Sequence, residues 1–193
     1  MARDVWFGVH LPPEGRTFEY MRKACTDVEA NGYDLFTMTD HFMNMANPRG
    51  VGGHPLECWT TLAALAAVTR RIRLGPLVGC YAYRLPTVLA KMATTVDVIS
   101  DGRLVLGLGA GWHEDEFYGF MGGFPPVPER MRGLRETLEI CTGMLGQERF
   151  SFEEKLYKFS SELRIFSIFG DSYTVHYRRS CNHFSICHFD LNL

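Results

Sequence analysis

Four times within its first 146 residues the chain runs from a short β-branched or aromatic stretch into a segment long enough for a covering helix, and this alternation limits its fold more than any single motif does. Strand–helix–strand repeats need crossover connections. Crossovers make neighbouring strands parallel, and helices packed over both faces allow those strands to be apolar throughout. The first strand is expected at Val5–Val9 and is stopped by Pro12 and Pro13. Thr17 then precedes Tyr20, Met21, Ala24, Val28 and Ala30 at near-helical spacing, and Gly32 marks the helix end. Tyr33–Thr39 is the second strand and Leu56–Thr69 the alanine-rich second helix; Ile72–Val78 is the third strand. Pro86 opens a helix with an apolar stripe of Val88, Leu89, Met92, Ala93, Val96 and Ile99, ended by Asp101-Gly102. Arg103–Leu108 is the fourth strand. A long loop through Pro125, Pro126 and Pro128 leads to a charged amphipathic helix over about Glu129–Leu145.

Periodicity does not say whether such a sheet closes into a barrel or stays open. A doubly wound sheet would carry a G-x-G-x-x-G phosphate loop after strand one, and Gly8-Val9-His10-Leu11-Pro12-Pro13 does not match it. A complete eight-fold barrel takes roughly 250 residues, more than the 193 present. Hydrophobic residues at 46% and charged residues at 22% exclude a disordered chain, and a net charge of −2 gives no electrostatic footprint for nucleic acid or an anionic membrane. A small molecule is the expected partner. The six cysteines are scattered without a C-x-x-C pair, and no secretory leader or run of about 18 apolar residues is present, so reduced thiols and a cytoplasmic location are expected. Residues 160–193 differ abruptly from the rest, with no alanine or proline and three of the seven histidines. They are expected to form an atypical tail, truncated or shifted in frame, with at most an isolated strand in Ser167–Val175. Cys181, His183, Cys187 and His188 in this tail are too closely spaced for a zinc site, and no metal is expected.

In parallel α/β architectures the loops after the carboxyl ends of the strands gather the chemistry on one face. Here those loops hold His10, then Asp40-His41, then Gly79 to Arg84, then Gly109 to Glu114. A histidine of near-neutral pKa exchanges protons readily, and a neighbouring carboxylate orients it, which makes Asp40-His41 the sharpest local feature; the blander alternative is a helix-capping aspartate beside a surface histidine. Gly109-Ala110-Gly111-Trp112-His113-Glu114 combines bare backbone, a flat aromatic face and two titratable groups, against the alternative of a tight turn with Trp112 in the core. Gly79 ends strand three where a bulge lets a flat ring lie against the main chain. Cys80 has no evident partner and is expected to be a small buried hydrophobe.

The stretches GYDLFTMTDHF at 32–42, RIRLGPLVGCYAYRLPTVLAKMATTVDVISDGRLVLGLGAGWHEDEF at 71–117 and PPVPERMRGLRETLEI at 125–140, in this order, resemble the luciferase-like monooxygenase superfamily and in particular its deazaflavin-dependent branch. The resemblance runs from about Asp4 to Lys158, roughly half of a usual member. It implies a (β/α)8 TIM barrel truncated to about its first four βα units over residues 1–159, with the irregular tail at 160–193. It also implies hydride transfer between a small organic substrate and the deazaflavin F420, or FMN as the alternative cofactor. Leu77, Val78 and Gly79 match the family's ring-facing bulge, which often contains a non-proline cis peptide. Asp40 and His41 match the strand-two site, with His41 as proton donor or acceptor; Gly111, Trp112 and His113 match the strand-four site, and His10 is placed at the cofactor. Some deazaflavin dehydrogenases carry a catalytic glutamate at the position of Trp112, and Glu114 is the available substitute. Half a barrel would leave two strand edges open to self-association, and a non-catalytic interaction protein that binds cofactor poorly is the alternative reading.

Overall fold

The computed structural model describes residues 5–45, 53, 55–146 and 149–159, together with two strands of the C-terminal stretch, Thr174–Tyr177 and Cys187–Asp190. These residues fall into two compact units. One comprises Met1–Gly79 with Val96–Val105, the other Cys80–Thr95 with Leu106–Leu193.

The first unit is a parallel three-stranded sheet of β1 (Gly8–His10), β2 (Leu35–Met38) and β3 (Arg73–Pro76), connected by helices α1 (Phe18–Ala30) and α2 (Cys58–Val68). Its register sets Gly8 against Leu35, His10 against Thr37, Leu35 against Arg73 and Met38 against Pro76. β1 starts three residues later than its apolar run suggested, because the Phe7 N–H is taken by the Asp34 carboxylate at 3.0 Å rather than by a ladder carbonyl. Thr17 caps α1 by accepting the Tyr20 N–H at 3.2 Å, and Gly32 follows the helix at φ 84°. The Glu57 carboxylate caps α2 through the N–H groups of Trp59 and Thr60. Met21, Cys25, Phe36, Trp59, Leu62, Leu65, Ile72 and Leu74 are buried in this unit.

Two charged side chains tie the elements of this unit together. Glu29 Oε1 accepts from Arg70 N at 2.9 Å, Arg71 N at 2.6 Å and Ile72 N at 2.9 Å, clamping the end of α1 to the approach of β3. The Arg103 guanidinium donates to Ala66 O at 2.9 Å, Thr69 O at 3.1 Å, Thr69 Oγ1 at 3.0 Å, Ile72 O at 2.7 Å and Ser100 O at 2.5 Å. These acceptors include carbonyls that the carboxyl end of α2 leaves without helical partners. Arg103 is thus a cap built from another part of the chain, and Leu104 beyond it pairs with Leu74.

After β3 the peptide bond Leu77–Val78 is cis, and the chain resumes extended structure in β4 (Gly79–Cys80). The expected continuous strand Ile72–Val78 is therefore interrupted, at the position where the family resemblance put a bulge. Helix α3 (Pro86–Ser100) has its first ten residues in the second unit and its last five in the first. Its buried apolar residues include Leu89, Ala90, Ala93 and Val96, beside buried Thr94, Asp97 and Ser100, whereas Val88 and Ile99, expected in the stripe, are exposed.

In the second unit the strand order is β4, β5 (Leu106–Gly109), β8 (Thr174–Tyr177), β9 (Cys187–Asp190). A three-residue turn of helix, α4 (Glu114–Glu116), continues as a π-helical turn over Phe117–Met121, in a segment expected to be loop. Helix α5 (Val127–Gly146) follows, two residues longer at its start than its periodicity suggested, and then an antiparallel pair, β6 (Phe152–Glu153) and β7 (Lys158–Phe159). Buried Glu136 on α5 holds this hairpin by accepting from Leu156 N at 3.0 Å and Tyr157 N at 3.2 Å. Gly133 lets α5 approach Tyr81, since a Cβ there would lie 2.0 Å from the ring. The tail differs from its expected single strand: β8 pairs in parallel with β5, Leu106 opposite Val175, and β9 returns antiparallel to β8. The edge of β5 offers unpaired ladder groups, and the β-branched and aromatic run Thr174–Tyr177 suits them.

Candidate functional site

In the first unit three parallel strands carry predicted residues at or after their carboxyl ends. His10 closes β1 with its Nδ1 3.0 Å from Thr37 Oγ1, and the next residue returns to the ladder as Leu11 N donates to Thr37 O at 2.8 Å. Partial burial pushes the His10 pKa below the ordinary histidine value, and the Glu14 carboxylate pulls it back. Glu14 is itself fixed by Thr39, whose hydroxyl donates to Oε1 at 3.2 Å. Directly after Thr39, Asp40 is only 3% exposed and His41 is half-buried. No helix begins at residues 41–45, so Asp40 is not the cap of an adjoining helix. At the end of β3, Leu77 N donates to Met38 O at 2.9 Å, and Leu77 and Val78 are half-buried while Gly79 is buried.

In the second unit the other predicted residues follow the end of β5. Gly111 adopts φ 70°, which an L side chain rarely takes, and a Cβ there would lie 2.6 Å from the Phe117 ring and 2.7 Å from Cys80 Sγ. Trp112 follows with 58% of its surface exposed, so the alternative that placed it in the core does not hold. Its indole meets the His113 ring edge-on at 5.3 Å. His113 is buried, and its Nδ1 accepts the Glu116 N–H at 3.3 Å, capping α4 in the role usually filled by serine or aspartate. Glu114 is exposed.

Three further residues shape this loop and were not singled out in the sequence. Glu116, with no exposed surface, accepts a short hydrogen bond from the Tyr83 hydroxyl. Arg130 on α5 donates to Gly111 O and, at 3.0 Å, to Pro125 O, and its guanidinium stacks 4.3 Å from the Phe124 ring centroid. The H-x-x-E spacing of His113 and Glu116 resembles a capping box and was the available sequence signal; nothing local marks Tyr83 or Arg130. Cys80 is buried, as are Cys25, Cys58 and Cys141, and none of the four forms a disulfide. Burial pushes the Cys25 and Cys141 thiols up to about 12. Among the described residues no group of three potential ligands could hold a metal ion, and Cys181, His183, Cys187 and His188 lie outside the side chains described.

A family model for luciferase-like monooxygenases matches residues 5–169. The chain belongs to this family. Among curated members it is 40% identical over 131 residues to the pyrimidine monooxygenase RutA of Methylobacterium radiotolerans, covering 65% of this chain and 32% of that protein. It is 33% identical over 132 residues to the F420-dependent glucose-6-phosphate dehydrogenase of Nocardia farcinica, covering 67% of this chain and 38% of the relative. The crystal structure of the monooxygenase RslO1 from Streptomyces bottropensis matches with a TM-score of 0.70 at 25% identity, over 81% of this chain and 47% of that one. The fold is that of the luciferase-like TIM-barrel proteins, and the chain spans about a third to a half of the length of the relatives it matches.

Proposed function

We propose that this luciferase-like chain carries part of the active site of an oxidoreductase that moves a hydride between a small organic substrate and a deazaflavin of the F420 type, with FMN as the second choice. The observation that carries this reading is Trp112, a large aromatic side chain left 58% exposed directly after a parallel strand, on a loop fixed by a positive-φ glycine and a buried arginine. A planar heteroaromatic ring fits such a residue, which offers a flat apolar face. F420 ranks first because of the deazaflavin-branch resemblance and the name of the Nocardia relative. When bound, the ring would supply the centre that gives or takes the hydride.

The chain's own residues would do the rest. In the second unit Trp112 would stack on the ring, with Gly111 and His113 holding the indole in place. His10, Leu77, Val78 and Gly79 in the first unit are proposed as cofactor-binding residues on the family resemblance. His41 would carry the substrate proton on its imidazole, oriented by the adjacent buried Asp40, and Glu114 would be a second proton carrier. The buried thiols fit a reducing compartment such as the cytoplasm, and no described helix is long and apolar enough to cross a membrane.

Titrating the purified chain with F420 and with FMN while following fluorescence tests the reading. Saturable quenching is expected with one of them. Trp112→Ala should weaken it about tenfold, since stacking of a flat base on an aromatic side chain contributes roughly 1 to 3 kcal/mol, and His41→Ala should alter it as well. Absence of saturation with both compounds overturns the proposal. In that case the second reading gains, a non-catalytic interaction protein that self-associates along β1, the sheet's edge in the first unit, where Val5 and Phe7 are 62% and 63% exposed.

A further inference from the structure

The segment after β5 has a chemical bias that the proposed function does not use. Between Arg103 and Arg130 the sequence contains no lysine or arginine and four carboxylates, Glu114, Asp115, Glu116 and Glu129. Glu116 is buried against Tyr83, but Glu114, Asp115 and Glu129 are exposed. Arg130, the cation that ends the interval, is buried and spends its guanidinium on Gly111 O, Pro125 O and the Phe124 ring. The same segment shows large apolar side chains to solvent: Trp112 at 58%, Tyr118 at 59%, Phe120 at 53% and Met121 at 36% exposed. Such residues concentrated within ten positions are more than the scattered surface hydrophobes of an ordinary protein. A π-helical turn carries three of them, a distortion that recurs at functional sites.

We infer that residues 112–121 receive the organic substrate, and that this substrate is an apolar or aromatic molecule, uncharged or cationic, rather than a phosphorylated or carboxylated one. The inference rests on the oxidoreductase reading, which supplies the need for a substrate beside Trp112. Aromatic side chains provide flat contact area with little conformational freedom to lose. The exposed carboxylates add selectivity: a phosphate or carboxylate on the ligand would meet like charge with no cation of the segment to pair it, whereas an ammonium or amidinium group would meet opposite charge.

Three probes of one shape separate these classes: benzyl alcohol, benzylamine and phenyl phosphate, titrated at low salt into the full chain and followed by the amide NMR shifts of residues 112–121. Benzyl alcohol and benzylamine should perturb these amides with dissociation constants at least tenfold below that of phenyl phosphate. The double variant Tyr118→Ser/Phe120→Ser should weaken both by fivefold or more while leaving the ring titration unchanged. Glu114→Lys/Asp115→Lys should bring phenyl phosphate level with benzylamine or ahead of it. Equal binding of phenyl phosphate and benzylamine to the unaltered chain, or unchanged affinity in the serine variant, overturns the inference. Flavin and deazaflavin titrations on the same samples separate the two claims. Ring binding without probe preference sinks the substrate class alone, and absence of ring binding sinks the oxidoreductase reading and the substrate assignment with it.

Discussion

Replacing Arg103 by lysine keeps the charge and most of the stem but removes the planar fork. In the native chain one guanidinium satisfies Ala66 O, Thr69 O and Oγ1, Ile72 O and Ser100 O. An ammonium has three donors radiating from one nitrogen and cannot serve acceptors spread from the end of α2 to the end of α3. Hydrogen bonds to charged groups contribute about 1.5 to 3 kcal/mol each, but the site is only partly buried, so water would solvate some of the abandoned carbonyls. Counting three lost bonds at about 1 kcal/mol apiece puts the cost of Arg103→Lys near 3 kcal/mol, and for a chain of this size that lowers the melting midpoint by about 6 to 12 °C. Arg103→Ala should cost about 1 kcal/mol more. Urea and thermal unfolding followed by circular dichroism measure both. Arg22→Lys is the control, because its partner Glu19 is on the same exposed helical turn, where water and salt screen the pair. If Arg103→Lys unfolds within 0.5 kcal/mol of the unaltered chain, or no more readily than Arg22→Lys, the capping argument is wrong.

Two more outcomes follow from the same structure. Burial alone would push the Glu29 carboxyl up, but the N–H groups of Ile72, Arg71 and Arg70, with the Arg103 charge, hold its pKa below the usual carboxylate range. A group depressed on folding contributes stability that is complete above its unfolded pKa of about 4.3 and is lost as pH falls through the lower folded value; acid titration of unfolding should therefore show a shallower loss below pH of about 4 in Glu29→Gln than in the unaltered chain. Gly111→Ala should destabilise the chain by about 2 kcal/mol, from the strained φ and the collision with Phe117 and Cys80, and should weaken ring binding with it; an alanine variant of unchanged midpoint would show that the turn relaxes freely.

How much of this was legible depended on the range of each interaction. Helix α1 could be read between its Thr17 cap and Gly32 because both signals act within one turn of the element. The alternation of strands and helices gave the parallel sheet, and the motif resemblance located the break at Leu77–Val78. The α3 stripe was displaced because Val88 and Ile99 satisfy helical periodicity equally well, and only packing decides that Ala90 faces inward instead. Arg103 reaches back 31 to 37 residues for most of its acceptors and Tyr83 reaches forward 33 to Glu116, separations at which no spacing rule applies. Asp40, His41 and Trp112 were nominated from their position at strand ends, and the structure places Asp40 and His41 after β2 and Trp112 after β5. The short helical turn at 114–121 stayed hidden because three glycines and three phenylalanines in FYGFMGGF carry weak helical propensity.

The double grip of Arg130 on Gly111 O and Pro125 O bears on anyone wishing to re-engineer this enzyme family. Because one α5 side chain staples both ends of the intervening turn, the stretch from 111 to 125 is not a cassette that can be exchanged alone. A transplanted loop would keep its shape only if the recipient helix presents an arginine at the matching position, so the smallest portable module runs through Arg130.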